Sequence, residues 1–176
     1  MLKAVKFGGS SVAGAAQFQR VREIVRSDPA RRVVVASAAG KRFSGDHKLT
    51  DLLYLCHAHL TYGVSCEEIL SEIEGRFVEI RDTLGLTMDV EGEFAALRAR
   101  LDRSFPVDAL VSRGEAFTSR LLAEYLGYTY VDAADCVFFS PDGRIDRQKT
   151  DEAIRRAAEA YRRLVIPGFS GSLPRA

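Results

Sequence analysis

Short apolar runs and longer amphipathic stretches alternate along this chain, and their spacing predicts an order of strands and helices. Residues 2–7 alternate well enough for a first strand, which Gly8-Gly9-Ser10-Ser11 breaks. Phe18, Val21, Ile24 and Val25 then fall on one face of a helix. Residues 32–37 carry three consecutive valines, the signature of a strand buried on both faces. Residues 38–46 read as a loop rich in Gly, Lys and Ser, and Thr50 is the predicted cap of a helix that carries Leu52, Leu53 and Leu55.

The middle of the chain changes character. Over residues 67–104, Ile69, Ile73, Phe77, Ile80 and Leu84 recur at three- and four-residue steps, and after Gly85 so do Val90, Phe94, Leu97 and Leu101. This predicts a helical hairpin inserted at residues 60–105. After Pro106, residues 107–112 predict a strand with Arg113-Gly114-Glu115 as its exit turn. A helix follows through Phe117, Leu121, Leu122 and Tyr125 and stops at Gly127. Residues 128–132 predict another strand, and residues 136–139 a short apolar run before the turn at Pro141-Asp142-Gly143. Thr150 is the predicted cap of a helix reaching Tyr161, and residues 164–166 form a last strand that runs into residues 167–171.

This order predicts an α/β fold: a three-layer αβα sandwich around a mostly parallel sheet, with the helical insertion added to it. Ligands of such sheets sit beyond the carboxyl ends of the strands. The polar, glycine-containing segments at residues 8–11, 37–41, 112–115 and 168–171 fall at those ends, and together they predict one site.

Composition narrows the function. With 176 residues, 47% hydrophobic and 28% charged, the chain fits one globular domain spanning residues 1–176. Twenty-five basic against 24 acidic residues leave no surplus for general nucleic-acid binding. No apolar run approaches the ~20 residues of a membrane span. The N-terminus enters a strand pattern at once, which predicts no signal peptide. Three cysteines without paired spacing predict reduced thiols and a cytoplasmic protein.

The chemistry concentrates in a few segments. In Lys6-Phe7-Gly8-Gly9-Ser10-Ser11-Val12 a lysine inside a strand precedes two glycines, which is neither a P-loop nor a GxGxxG turn. Glycines let backbone N–H groups approach phosphate oxygens, and lysine adds a point charge, so phosphate binding is favoured over a plain strand–turn corner. In residues 33–41 small side chains at a strand exit leave room for a ligand, with Ser37 as a hydroxyl; a merely tight exit explains them equally well. Thr50 has two compatible roles, a helix cap and a ligand of a substrate carboxylate. Glu115 beside Gly114 can reach a substrate ammonium, or can simply favour a helix start. Arg113 either pairs with an anion or is solvated. Cys56, His57 and His59 do not share one helix face and predict no metal site.

These segments, in this order, resemble the amino-terminal part of aspartate kinases, within the amino-acid kinase (carbamate kinase-like) superfamily. The matching stretches are KFGGSSV at residues 6–12, VVVASAAGK at 33–41, KLTDLL at 48–53, SRGE at 112–115 and IPGFSG at 166–171. The resemblance implies phosphoryl transfer from ATP, with Mg2+ carried by the nucleotide, to the side-chain carboxylate of L-aspartate. That reaction gives 4-phospho-L-aspartate, the first step towards lysine, threonine and methionine. It implies that Lys6 stabilises the transferring phosphate and that Phe7, Gly8, Gly9 and Ser10 form the phosphate-facing turn. Ser37 and Thr50 would line the aspartate site, Glu115 would bind the substrate amine, and Val111 and Phe169 would pack nearby. The SRGE segment and the helical insertion favour aspartate over an acetylglutamate or glutamate acceptor. In the family a Gly-Arg-Gly-Gly-Ser-Asp-type loop, the nucleotide-binding half and regulatory ACT domains follow the last strand, and these are absent from the sequence. The alternative is therefore a truncated, non-catalytic module that binds aspartate or a partner, with a homo-oligomer or the missing C-terminal half completing it.

Overall fold

Alternation in Lys3–Phe7 sends Val5 and Phe7 to one face of a strand, β1, and Ala4 and Lys6 to the other. The computed structural model describes residues 2–168. A 3-10 turn at Gly9–Val12 leads into α1 (Ala15–Arg26), which buries Phe18, Val21 and Val25. The valine run forms β2 (Arg31–Ala36). Four helices follow: α2 (Leu49–Tyr62), α3 (Glu67–Leu84), α4 (Val90–Arg98) and α5 (Val107–Leu126). The chain then makes β3 (Thr129–Tyr130), α6 (Ala133–Cys136), α7 (Arg147–Ala160) and β4 (Leu164–Pro167).

The strands lie in the order β1-β2-β4-β3, and all pairs are parallel. Register sets the layers. Val34 pairs with Val165 and faces α1–α5, whereas Val33 pairs with Leu164 and faces α6 and α7. On the first face one continuous core joins Phe7, Val34 and Val165 to buried side chains of α1, α2, α3, α4 and α5. On the second, Val33, Leu164 and Ile166 meet Ala133 and Cys136, with Ala153, Ile154 and Ala157 of α7 packed against them. The result is a three-layer αβα sandwich with a parallel sheet. Ala4 and Lys6 stay exposed on the second face.

Three expectations are corrected. Residues 107–112 are not a strand but the first turns of α5, which starts directly after Pro106. Leu110, Val111, Gly114, Phe117, Thr118 and Leu121 are all buried, at the three- and four-residue steps of a helix face, so a six-residue window was too short to show the period. Thr50 is not a cap: Lys48 holds that position and Thr50 is the second helical residue. Thr150 is likewise one turn inside α7, where Asp146 is the cap and accepts from the Lys149 amide at 3.1 Å. Thr150 instead uses its hydroxyl to accept from Phe138 N at 3.0 Å. Gly127 ends α5 as expected, in the left-handed conformation at φ 69°. Among the described residues no helix is long and apolar enough to cross a membrane.

α3 and α4 share the main core. The rings of Phe77, Phe94 and Phe117 meet at centroid distances of 5.5 Å (Phe77–Phe117), 5.1 Å (Phe94–Phe117) and 6.2 Å (Phe77–Phe94), tying both helices to α5. A polar network ties α3 to the loop between β2 and α2. Asp46, 5% exposed, takes two bonds from the Arg42 guanidinium, at 2.9 and 3.1 Å, and a third from the Arg42 amide at 2.9 Å. Arg76 of α3, 3% exposed, lies 3.6 Å from the same carboxylate.

Two outcomes follow from this packing. Phe77→Ala is expected to cost about 3–5 kcal/mol, the usual penalty for emptying a buried aromatic site. Urea denaturation should show one transition displaced as a whole; separate melting of residues 67–98 would show that the helical pair is an independent unit. The second outcome concerns pH. The Arg42 guanidinium, with its amide and the charge of Arg76, holds the Asp46 carboxyl well below the usual carboxylate range, against the opposing effect of burial. A lowered folded-state pKa contributes stability that is complete above the unfolded value of about 4 and is lost as pH falls below it. Unfolding midpoints measured from pH 7 to pH 3 should fall below about pH 4 in the native chain and fall less steeply in Asp46→Asn.

Candidate active site

The exits of β1, β2 and β4 converge through backbone bonds. Ser37 N donates to Phe7 O at 3.1 Å and Gly168 N donates to Ala36 O at 3.0 Å, which extends strand pairing past the strand ends. Beyond Phe7, Gly8 is extended and the 3-10 turn closes with Ser11 N donating to Gly8 O at 2.9 Å. Gly9 then lies against Gly40. A Cβ on Gly40 would stand 2.7 Å from Gly9 C, and one on Gly9 would stand 2.9 Å from Ala38 O. Only hydrogen fits between these backbones, and Gly40 N donates to Gly9 O at 2.8 Å.

α5 supplies the fourth side, and it does so as a helix rather than as a strand exit. A Cβ on Gly114 would meet Leu53 Cδ1 at 3.0 Å and Ala38 Cβ at 3.3 Å, so the glycine sets how closely α5 approaches β2 and α2. Thr118, fully buried, donates to Gly114 O at 2.7 Å and accepts from Ala39 N at 3.2 Å. Val111 and Glu115, one helical turn apart, are both buried on this side of α5 at 2% and 7% exposure. Arg113 turns its Nε back to Ala109 O at 3.3 Å within the same helix.

The Ala39–Gly40 pair is the meeting point. Ala39 N is held by α5 through Thr118, and Ala39 O accepts from Leu49 N of α2 at 3.2 Å. Gly40 N binds the β1 turn, and Gly40 O accepts from Arg76 Nη2 of α3. The half-buried Ser37 lies just before this pair, and the half-buried Thr50 directly follows Leu49. The structure thus brings Phe7, Gly8, Gly9, Ser10, Ser37 and Thr50 to one edge of the sheet, and Val111 and Glu115 are buried on the helix whose Gly114 and Thr118 pack against it. Phe169 lies outside the described residues.

Lys6 reaches that edge from the other face. It pairs with Val35 in register, and its neighbours Val5 and Phe7 point into the main core, so its side chain leaves on the opposite, exposed face. No hydrogen bond or ion pair among the described residues holds it, and Ser10 and Ser11 are also exposed nearby. A Cβ on Gly8 would meet nothing within 4 Å, so the turn is open on its outer side. A cation, two hydroxyls and an unobstructed glycine make donor chemistry suited to phosphate oxygens. The charge of Glu115, buried on α5, suits an ammonium.

Sequence reasoning missed two contributors. Thr118 and Arg76 sit on amphipathic helices, and nothing local distinguishes a buried threonine or arginine there from a solvated one. The helical run that carries Cys56, His57 and His59 is occupied structurally. Burial pushes the Cys56 thiol up to about 12, His57 Nε2 contacts Phe105 O at 3.0 Å, and His59 Nδ1 contacts Ser65 O at 2.8 Å.

Comparison with known proteins shows the same fold in aspartate kinases. Aspartokinase 3 of Bacillus subtilis (strain 168) is 34% identical over 186 residues, covering 97% of this chain and 40% of that protein. The crystal structure of Clostridium acetobutylicum aspartate kinase superposes with a TM-score of 0.91 at 38% identity, covering 97% of this chain and 39% of that one. E. coli aspartokinase III, in complex with aspartate and ADP, shares the fold at a TM-score of 0.78 and 23% identity, over 98% of this chain and 42% of its own. The chain therefore spans two fifths of the length of these relatives. Residues 1–175 match the family model described as the amino acid kinase family, and the chain belongs to that family.

Proposed function

We propose that this chain is the amino-acid- and phosphate-binding part of an aspartate kinase, which transfers a phosphoryl group from ATP to the side-chain carboxylate of L-aspartate. The observation that carries the reading is the contact of Gly9 with Gly40. It sets the Lys6–Ser10 turn against the loop that Thr118 holds to α5, the helix that carries Glu115. Phosphate-binding and amine-binding groups then serve one edge of the sheet. The Bacillus and Clostridium relatives named above support aspartate as the acceptor.

The assigned roles follow from side-chain chemistry. Lys6 offers a mobile ammonium to the phosphoryl group, and Phe7, Gly8, Gly9 and Ser10 shape the turn that faces it. Ser37 and Thr50 present hydroxyls to the amino acid, and Glu115 accepts from its ammonium. Val111 packs beneath, and Phe169 is assigned beside it by the family resemblance. Magnesium is expected to arrive with the nucleotide, and no cluster of metal-ligating side chains is found among the described residues. The acceptor carboxylate is already ionised at neutral pH, so no general base is required. Positioning and neutralisation of phosphate charge then carry the rate. A cytoplasmic location, and association with a second copy or with the remainder of the kinase, belong to the same reading.

The test is aspartate-dependent ADP release by the full-length polypeptide. Lys6→Ala is expected to lower kcat by about 10²–10³-fold, the usual loss for one electrostatic donor at a transition state. Glu115→Gln is expected to raise the KM for aspartate by roughly ten- to a hundredfold, as expected when a charge-assisted hydrogen bond is weakened. L-Glutamate in place of aspartate should give little ADP. Full turnover in Lys6→Ala, or equal turnover with glutamate, would refute the assignment.

A further inference from the structure

α3 does more than fill the core. Glu72, Arg76 and Glu79 follow one another along a single stripe of the helix, with the two glutamates exposed and Arg76 buried to 3% exposure. The Arg76 guanidinium donates to His47 O at 2.7 Å and to Gly40 O, and it lies 3.6 Å from Asp46. A buried guanidinium is tolerated only when it is paired and hydrogen-bonded. Such pairs are often no more stabilising than apolar residues of similar volume, so stability alone explains little of this one. What Arg76 holds is more informative. Gly40 is the residue against which the β1 turn packs, and His47 stands two residues before the start of α2, where Thr50 lies.

We propose that Arg76 is a positioning residue for phosphoryl transfer, fixing the phosphate-facing turn, through Gly40 and Gly9, relative to the aspartate-lining start of α2, through His47. This rests on the aspartate kinase reading given above. One guanidinium bridges both ends of the loop at residues 40–47, so the separation of the two substrate-binding segments depends on a helix that touches neither substrate. Asp46 is the counter-charge that keeps the guanidinium in place, and Arg42 orients Asp46.

The experiment compares Arg76→Lys, Arg76→Met and the double variant Asp46→Leu/Arg76→Leu in the full-length polypeptide, with unfolding midpoints measured alongside kinetics. Removing both charges together avoids leaving either one buried alone. The expected result is a double variant that still folds in one cooperative transition, at a midpoint lowered by loss of the Arg42–Asp46 bonds, but that loses about ten- to a hundredfold in kcat, the scale of an ångström-level misplacement. The KM values should change little, and Arg76→Lys should recover only part of kcat. Hydrogen exchange of the Gly40 and Leu49 amides should quicken in Arg76→Met, a readout that does not need turnover. Parental kcat in the folded double variant, or unchanged exchange at both amides, overturns the proposal while leaving the kinase reading intact. A parent without aspartate-dependent turnover overturns the kinase reading and the transfer role together, and the exchange result then decides whether Arg76 anchors the loop.

Discussion

The close approach of Gly9 and Gly40 is the constraint on which the rest of the site depends. Two backbone segments at the ends of adjacent parallel strands come within reach of one another only because neither residue has a Cβ. That contact leaves Gly40 N free to bind Gly9 O, and the neighbouring polar groups are then taken up in turn by α5, α2 and α3. A buried pair of peptide units must satisfy its donors and acceptors somewhere. Here each is satisfied by a different element, so meeting that requirement also assembles the site. No side chain of the assigned chemistry makes these bonds. The backbone and two buried helix residues, Thr118 and Arg76, do the holding.

Much of this was legible in the sequence, and the exceptions have physical causes. β1 and β2 were legible because an alternating run and a valine run are patterns that a strand imposes within five or six residues. The glycine turn after Lys6 was legible because glycines bounded by a lysine and serines have few other uses. The start of α5 was not: within residues 107–112 the order Val, Asp, Ala, Leu, Val, Ser fits a period of 2 as well as 3.6. Only Gly114, Phe117, Thr118 and Leu121 decide it. Thr50 and Thr150 were misread for a related reason. A threonine just inside a helix and one at its cap look alike until the true cap is fixed, and at α7 that cap was Asp146. Arg76 was hidden altogether, since arginine on an amphipathic helix is usually solvated, and the carbonyls that bury it lie about 30 residues away in the chain.

The two sides of the sheet divide the chemistry proposed for the site. α1–α5 cover one face, and from that side come the buried groups Glu115, Val111 and Thr118. On the other face α6 and α7 cover β2 and β4 but leave Ala4 and Lys6 of β1 exposed. A carboxylate that must recognise one small ammonium gains from a desolvated, fixed setting, because Coulombic attraction strengthens as water is excluded. A lysine that must follow a phosphoryl group between donor and acceptor gains from a long, unrestrained side chain. Burial on one side and exposure on the other suit these two tasks, and the carboxyl edge of the sheet is where both can meet.

This division also explains where sensitivity to substitution should lie in such a site. A reaction whose nucleophile is already ionised asks little of titrating side chains and much of distances. The residues that set distances here are glycines, which cannot gain a methyl group without displacing backbone, and buried hydrogen-bonding residues of α3 and α5 whose partners are main-chain atoms. A hydroxyl such as Ser37 can be replaced and leave the frame standing. Gly40 cannot be, because the added carbon would force the β1 turn away from the loop that carries Ser37 and separate the two segments proposed to bind phosphate and amino acid.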